Sequence, residues 1–161
     1  MKAMSFPRRK LIVIGLGYVG LPTAFVFANR GFSVVGVDID VGRVEAVNSG
    51  SCYIREPGLD ALLRDVVFRG LLRATTNVVE AVRESDAVIV AVPTPVRDGV
   101  ADLSYLRSAL GGVKRGLHRG VLVVIESTVP PGTTADFVSN DCLLVLTRDD
   151  NRNSKNEQNT N

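Results

Sequence analysis

Three closely spaced glycines near the start of the chain constrain its fold more than any other feature. Gly15, Gly17 and Gly20 follow an apolar run and precede a stretch with the pattern of a helix, and the next apolar run ends at Asp38. A strand that turns directly into a helix needs glycine for the tight turn, for close approach of a ligand to the backbone, and for close packing of helix on sheet. An acid after the second strand suits the hydroxyl groups of a ribose. The pattern predicts a dinucleotide site; the alternative is a tight glycine turn that binds nothing.

The chemistry of this loop gives its residues separate roles. A helix that begins near Tyr18 would offer free N–H groups and a partial positive charge to phosphate groups. The acid would accept hydrogen bonds from the ribose of the adenosine. We therefore expect the cofactor to be bound here by Gly15, Gly17, Tyr18, Val19, Gly20 and Asp38.

The acid also predicts which dinucleotide binds. The carboxylate of Asp38 would repel a 2′-phosphate, and Ile39 and Asp40 follow it where an arginine would be needed. A charged hydrogen bond to the ribose contributes about 1.5–3 kcal/mol, or roughly a tenfold to hundredfold change in affinity. We therefore predict NAD rather than NADP. Arg43, one turn into the next helix, either lies over the adenine or is solvated.

Strand and helix patterns alternate along the chain. The predicted strands are apolar at consecutive positions, as expected for strands covered on both faces. They lie at residues 11–15, 33–38, 71–75, 87–92 and 121–126, and the helices lie at residues 18–30, 41–49, 59–69, 78–85 and 103–117. Asn77 and Asp102 are the expected N-caps, and Gly31 and Gly50 are the expected helix ends. The alternation predicts an α/β fold with a doubly wound parallel sheet, of the Rossmann type.

Composition narrows the class of protein and its partners. A chain of 161 residues, 45% hydrophobic and 22% charged, suits one soluble domain. Its net charge of +2 argues against a nucleic-acid or membrane partner, and the only basic run, Arg8-Arg9-Lys10, is interpreted as solvated. No run is long enough to span a bilayer. The two cysteines, Cys52 and Cys142, have the spacing of neither a disulfide framework nor a metal site, so we expect a cytoplasmic protein without metal.

Four motifs together resemble one family, the nucleotide-sugar dehydrogenases that oxidise a UDP-sugar at C6 to a uronate. They are Gly15-Leu-Gly-Tyr-Val-Gly-Leu-Pro22, Val47-Asn-Ser-Gly-Ser-Cys-Tyr-Ile-Arg-Glu-Pro-Gly-Leu-Asp60, Val92-Pro-Thr-Pro95 and Glu126-Ser-Thr-Val-Pro-Pro-Gly-Thr-Thr134. They occur in the family's order over residues 10–134. The resemblance implies an NAD-binding domain that serves nucleotide-sugar metabolism and polysaccharide biosynthesis.

The two later motifs are expected to line the nicotinamide half of the crevice, because ligands of such sheets bind beyond the carboxyl ends of the strands. We expect Pro93, Thr94, Ser127 and Thr128 to contact the cofactor there. Alternatively, the hydroxyl groups of Thr94 and Thr128 only satisfy local backbone groups. The resemblance implies that Thr128 also helps to order a catalytic water.

The catalytic apparatus of the family is not found in this sequence. The resemblance implies two hydride transfers to two NAD molecules and a nucleophilic cysteine in a Gly-Phe-Gly-Gly-x-Cys loop, which does not occur here. Cys142 is interpreted as a buried strand cysteine and Cys52 as an incidental thiol. We predict a dinucleotide-binding domain at residues 1–134 and a divergent, mostly disordered polar tail at residues 135–161, such as a truncated gene would encode. In that tail, residues 135–138 are expected to begin a helix and residues 142–146 to form a strand.

Two functions remain open at this point. The first is the NAD-binding part of a UDP-sugar 6-dehydrogenase, unable to oxidise a sugar unless the missing domains are supplied; the segment Asp102-Leu-Ser-Tyr-Leu106 and Glu126 resemble the branch that acts on UDP-N-acetylhexosamines. The second is a free-standing NAD-binding or sensor module. The Glu-Pro-Gly-Leu and Ser-Thr-Val-Pro-Pro-Gly motifs argue against a dehydrogenase of short hydroxy acids.

His118 is predicted to be solvated or to cap a helix, and an exposed edge at the late strands is expected to promote association. The oligomeric state is left open.

Overall fold

Parallel strands with apolar side chains on both faces form the centre of the molecule. The computed structural model describes residues 9–55 and 57–139. The strands are β1 (Lys10–Ile14), β2 (Ser33–Val37), β3 (Leu72–Thr75), β4 (Ala87–Val90), β5 (Val96–Arg97), β6 (Val100–Ala101) and β7 (Leu122–Ile125). The helices are α1 (Gly20–Asn29), α2 (Val41–Asn48), α3 (Leu59–Phe68), α4 (Val78–Arg83), α5 (Ser104–Gly116) and α6 (Thr133–Ser139).

The five-stranded sheet has the order β3-β2-β1-β4-β7, and all of its pairs are parallel. The chain proceeds from β1 outward to β3, returns to place β4 beside β1, and then proceeds outward on the other side to β7. The direction therefore reverses between β1 and β4. In open sheets of this kind, ligands bind beyond the carboxyl ends of the strands at such a reversal. The predicted doubly wound Rossmann-type sheet is confirmed.

Consecutive residues of β1 from Leu11 to Ile14 belong to opposite cores, which explains why this part of the strand is apolar at every position. Leu11 and Val13 lie in a cluster with side chains of α1 and α3. Ile12 and Ile14 lie in a second cluster with side chains of α4 and α5. Because helices cover both faces, a polar side chain at any of these four positions would be buried without a partner, whereas Lys10 at the start of the strand is exposed.

The predicted strands and helices of the sheet all exist, with ends that differ by at most two residues from the prediction. Asn77 caps α4 by accepting a hydrogen bond from the Glu80 N–H at 3.2 Å. Gly31 and Gly50, which end α1 and α2, have φ angles of +92° and +70°. These caps are confirmed.

Three details differ from the sequence-based expectation. Helix α1 begins at Gly20 rather than near Tyr18, because residues 18 and 19 form a turn. The N-cap of α5 is Leu103; Asp102 lies one residue earlier and accepts a hydrogen bond from the Ser104 N–H at 3.0 Å. The hairpin β5–β6 was not predicted.

The predicted helix at residues 135–138 is confirmed as part of α6. The expected strand at residues 142–146, the polar tail beyond it and Cys142 lie outside the described residues. The boundary after residue 134 stays a prediction.

Candidate functional site

The three glycines of the first loop meet three different steric demands. Gly15 has φ +93°, and a Cβ there would lie 2.5 Å from the Ala91 carbonyl oxygen. A Cβ on Gly20 would lie 1.8 Å from the carbonyl oxygen of Gly15, so only glycine allows α1 to approach β1 this closely. A Cβ on Gly17 would meet nothing within 4 Å. The loop is therefore packed tightly at both ends and faces open space at its middle.

The N-terminus of α1 directly follows this loop and is open to solvent. Its N-cap, Val19, provides no side-chain hydrogen bond to the first turn. Tyr18 and Val19 are exposed. The positive end of the helix dipole, together with the N–H groups of the turn at residues 18–20, makes such a terminus suited to an anion.

Asp38 lies directly after β2 and is 6% exposed. Its Oδ2 accepts a hydrogen bond from the Leu16 N–H at 2.8 Å, and its Oδ1 accepts one from the Asp40 N–H at 3.0 Å. The Arg43 Nη1 donates to Oδ2 at 3.3 Å. A carboxylate accepts about four hydrogen bonds, so Asp38 keeps acceptor capacity for a further donor.

Arg43 connects Asp38 to its surroundings. Its Nε lies 3.8 Å from Asp40 Oδ2, and its guanidinium carbon lies 5.9 Å from the centre of the Tyr53 ring. A guanidinium at this distance is attracted by the face of an aromatic ring. Asp40 also caps α2, because its Oδ1 accepts hydrogen bonds from the N–H groups of Gly42 and Arg43. Contact of Arg43 with adenine stays a prediction.

Sequence reasoning missed Tyr53. Its hydroxyl donates a hydrogen bond to the Leu16 carbonyl oxygen in the middle of the glycine loop. Burial, followed by the negative charge of Asp38, raises the pKa of the Tyr53 phenol, while Arg43 acts in the opposite direction. An aromatic residue in a connecting segment has no periodic pattern that would mark it, and its partner is 37 residues away in the sequence.

The second half of the predicted site lies after β4 and β7. The Thr94 hydroxyl donates to the Thr128 carbonyl oxygen at 2.7 Å, and the Ser127 hydroxyl donates to the Val92 carbonyl oxygen at 2.8 Å. The two turns are therefore joined directly. Thr128 and Pro93 are exposed. Thr94 satisfies a backbone group, as in the local alternative, and its oxygen remains able to accept a hydrogen bond.

The remaining chemistry-bearing residues lie outside these contacts. The Cys52 Sγ lies 3.5 Å from the Ile54 carbonyl oxygen within its own segment. His118 is exposed, with Nδ1 3.1 Å from the Arg119 carbonyl oxygen. Within residues 9–55 and 57–139, no three His, Cys, Asp or Glu residues are grouped so as to hold a metal ion.

Comparison with known proteins decides between dehydrogenase families. The sequence pattern of the UDP-glucose/GDP-mannose dehydrogenase family, NAD binding domain, matches residues 9–154. The chain belongs to this family. It is an NAD-binding domain of the Rossmann type, as the glycine loop and Asp38 predicted.

Individual relatives agree with this assignment. The chain is 46% identical over 125 residues to UDP-N-acetyl-D-mannosamine dehydrogenase of Pyrococcus horikoshii, which covers 78% of this chain and 30% of the relative. It is 47% identical over 134 residues to NDP-N-acetyl-D-galactosaminuronic acid dehydrogenase of Ralstonia nicotianae, covering 83% and 31%. GDP-mannose dehydrogenase from Pseudomonas aeruginosa, solved as a ternary complex, superposes with a TM-score of 0.76 at 36% identity, covering 80% of this chain and 30% of that chain.

The chain thus spans about 30% of the length of the curated relatives that it matches. Among the helices that the structure describes, none is long and apolar enough to cross a lipid bilayer.

Proposed function

We propose that this chain holds NAD at the glycine loop for the oxidation of a nucleotide-diphosphate sugar. The observation that carries the proposal is the open space at Gly17, which lies between the uncapped N-terminus of α1 and the buried carboxylate of Asp38. These residues fit NAD, because an anion-binding helix terminus and a carboxylate acceptor suit a pyrophosphate and a ribose respectively. When bound, NAD supplies the acceptor for the hydride of the substrate.

Each side of the crevice binds a different part of NAD. The N–H groups around Tyr18 and Val19 bind the pyrophosphate, and Asp38 accepts the ribose hydroxyl groups. The turns that carry Thr94 and Thr128 bind the nicotinamide half. Support comes from the hydrogen bond between those two turns, which fixes both at the carboxyl ends of β4 and β7.

The proposed substrate class is a UDP-N-acetylhexosamine. Support comes from two of the named relatives, which are dehydrogenases of N-acetylated sugar nucleotides by name and are 46% and 47% identical to this chain. We further propose that the chain by itself binds NAD without oxidising a sugar. Cys52 is the only cysteine among the described residues, and it lies next to Tyr53 in the segment between α2 and α3, whereas the nicotinamide half is proposed at the turns after β4 and β7.

Calorimetric titration of the folded chain with NAD and NADP tests the proposal. We expect a dissociation constant for NAD of roughly micromolar to millimolar, the range that KM values of enzymes span, and weaker binding of NADP. Asp38→Ala should weaken NAD binding about tenfold to hundredfold, because it removes a charged hydrogen bond. Asp65→Ala, at an exposed acid of α3 paired with Arg69, is the matched control and should bind as the wild type does.

Two outcomes would contradict the proposal. A wild-type chain that is folded by circular dichroism and binds neither dinucleotide has no working cofactor site. Production of NADH from NAD and a UDP-hexose by the purified chain, lost in Asp38→Ala, would show that this chain carries the catalytic nucleophile after all.

A further inference from the structure

We propose that Tyr53 is a positioning residue that orients the glycine loop and Arg43 for the adenosine and pyrophosphate part of NAD. The inference rests on the placement of NAD proposed above. Tyr53 itself makes no contact that requires the cofactor. It acts through Leu16 and Arg43.

Leu16 is held at both of its backbone polar groups by side chains from other segments. Its N–H donates to Asp38 at 2.8 Å, and its carbonyl oxygen accepts the hydroxyl proton of Tyr53. Its side chain is 0% exposed and lies so close to β2 that a Cβ on Gly36 would be 2.7 Å from Leu16 Cδ2. Glycine on each side of Leu16 would otherwise leave this part of the loop with wide conformational freedom.

The hydrogen bond to the Leu16 carbonyl determines where the next N–H points. In a trans peptide unit, the carbonyl oxygen and the following N–H lie on opposite sides. Tyr53 draws the Leu16 carbonyl toward the segment between α2 and α3, so the Gly17 N–H points the other way. That N–H is thereby directed away from Tyr53, on the loop whose middle faces the open space proposed for the pyrophosphate.

The ring of Tyr53 has a second effect. The guanidinium of Arg43 lies against the ring face and donates to Asp38 Oδ2 at 3.3 Å. Arg43 is therefore held beside the carboxylate that is proposed to accept the ribose. The same aromatic side chain fixes the loop through its hydroxyl and the arginine through its face.

Tyr53 can act in this way because its own backbone is anchored on both sides. The N–H of Cys52 donates to Asp60 Oδ1 of α3 at 3.2 Å. Ile54 is buried in the core with α1 and α3. The phenol is thus attached to the helices rather than to a free loop.

Tyr53→Phe tests the hydroxyl, because it keeps the ring. We expect affinity for NAD and for ADP-ribose to fall about tenfold, the effect of one lost hydrogen bond. The amide signal of Gly17 should shift in ¹H–¹⁵N spectra of the ligand-free protein. Tyr105→Phe, at an exposed phenol of α5, is the matched control and should change neither quantity.

A further substitution, Tyr53→Leu, tests the ring. We expect it to weaken ADP-ribose binding beyond Tyr53→Phe in the wild-type background, but to add nothing to Tyr53→Phe when Arg43→Ala is also present. This non-additivity distinguishes positioning of Arg43 from a general loss of stability.

The outcomes separate this inference from the proposed function. Wild-type binding of NAD with equal affinity in Tyr53→Phe would overturn the inference and leave the proposed function standing. A lower melting temperature with unchanged affinity in the folded variant would assign Tyr53 a purely structural role and also overturn it. If the wild type binds no NAD, the proposed function fails, and an unmoved Gly17 amide in Tyr53→Phe would still contradict the positioning of the loop.

Discussion

At the scale of single residues, Tyr53 lies where its proton is difficult to remove. Burial and the charge of Asp38 raise the pKa of its phenol above the ordinary value of 10.0, and the smaller effects of Cys52 and Asp40 act in the same direction against that of Arg43. Above pH 10 the unfolded chain therefore loses this proton while the folded chain keeps it. The free energy of unfolding consequently falls as the pH rises through this range.

The raised pKa of Tyr53 predicts a difference between the wild type and Tyr53→Phe in how the free energy of unfolding depends on pH. Urea unfolding at several values of pH from 8 to about 11 should show stability that decreases more steeply for the wild type than for Tyr53→Phe. All other ionisable groups are common to both proteins, so their effects cancel in the comparison. Parallel slopes would contradict the raised pKa.

The residues of the candidate site differ in how far sequence could reveal them. Gly15, Gly20 and Asp38 occur at fixed positions within one strand–loop–helix–strand unit, so a sequence motif identifies them. Tyr53 contributes through a contact that exists only after the sheet has formed, between segments 37 residues apart. Arg43 was recognised, but its alternatives could not be separated, because the ring that it lies against is ten residues away.

At the scale of elements, α5 contains three glycines, and two of them, Gly111 and Gly116, lie in contrasting surroundings. A Cβ on Gly116 would lie 2.6 Å from the carbonyl oxygen of Val79 in α4, whereas a Cβ on Gly111 would meet nothing within 4 Å. The backbone of α4 cannot move aside as the end of a flexible side chain can. The same substitution therefore tests the packing of α5 on α4 at Gly116 and the helix propensity of the residue at Gly111.

We predict opposite effects of the same substitution at these positions. Gly116→Ala should lower the free energy of unfolding by about 1–3 kcal/mol through overpacking. Gly111→Ala should raise it by up to about 1 kcal/mol, because alanine is the better helix former. Urea denaturation measures both, and a stabilising Gly116→Ala would show that α4 and α5 pack less closely than described.

The ends of the helices and strands, and the hairpin, show which elements can be predicted from local sequence patterns. Buried strands and amphipathic helices were predicted because their apolar periodicity reflects the two cores. The hairpin β5–β6 has a recognisable signal, Asp98-Gly99 between Arg97 and Val100, and both turn residues have positive φ, +51° and +78°. It was missed because each of its strands has only two residues. The exact ends of α1 depend on the glycine loop, whose geometry is set by tertiary contacts.

At the scale of the whole molecule, β7 is the last strand on one side of the sheet among the residues that the structure describes. The Leu122 N–H donates to the Asp86 carbonyl and the Glu126 N–H to the Val90 carbonyl, so by alternation the backbone groups of Val123 and Ile125 point away from β4. Leu122 and Val124 are 62% and 40% exposed. No strand in the described part of the chain pairs beyond this edge.

An open edge with exposed apolar side chains predicts self-association. The apparent mass of the full chain in sedimentation experiments should rise with concentration, and Val124→Lys should reduce that rise. Leu62→Lys introduces the same charge at a leucine of α3 with a similar exposure of 43%, and should leave the rise unchanged. Equal behaviour of the wild type and Val124→Lys would remove β7 as the cause.

The contact between Leu16 and Gly36 also bears on how strands find their partners. In the native register Gly36 lies opposite Val13, and the absence of a side chain there makes room for Leu16. A displacement of β2 by one residue would bring Val35 or Val37 to this place and reverse which side chains face α1. A branched side chain would then occupy the volume of Leu16, and the loop could not close over the end of the sheet. The contact between Leu16 and Gly36 thus makes formation of the glycine loop depend on the native register of β1 and β2. A chain in another register would lack the folded loop altogether, rather than form a less stable version of it.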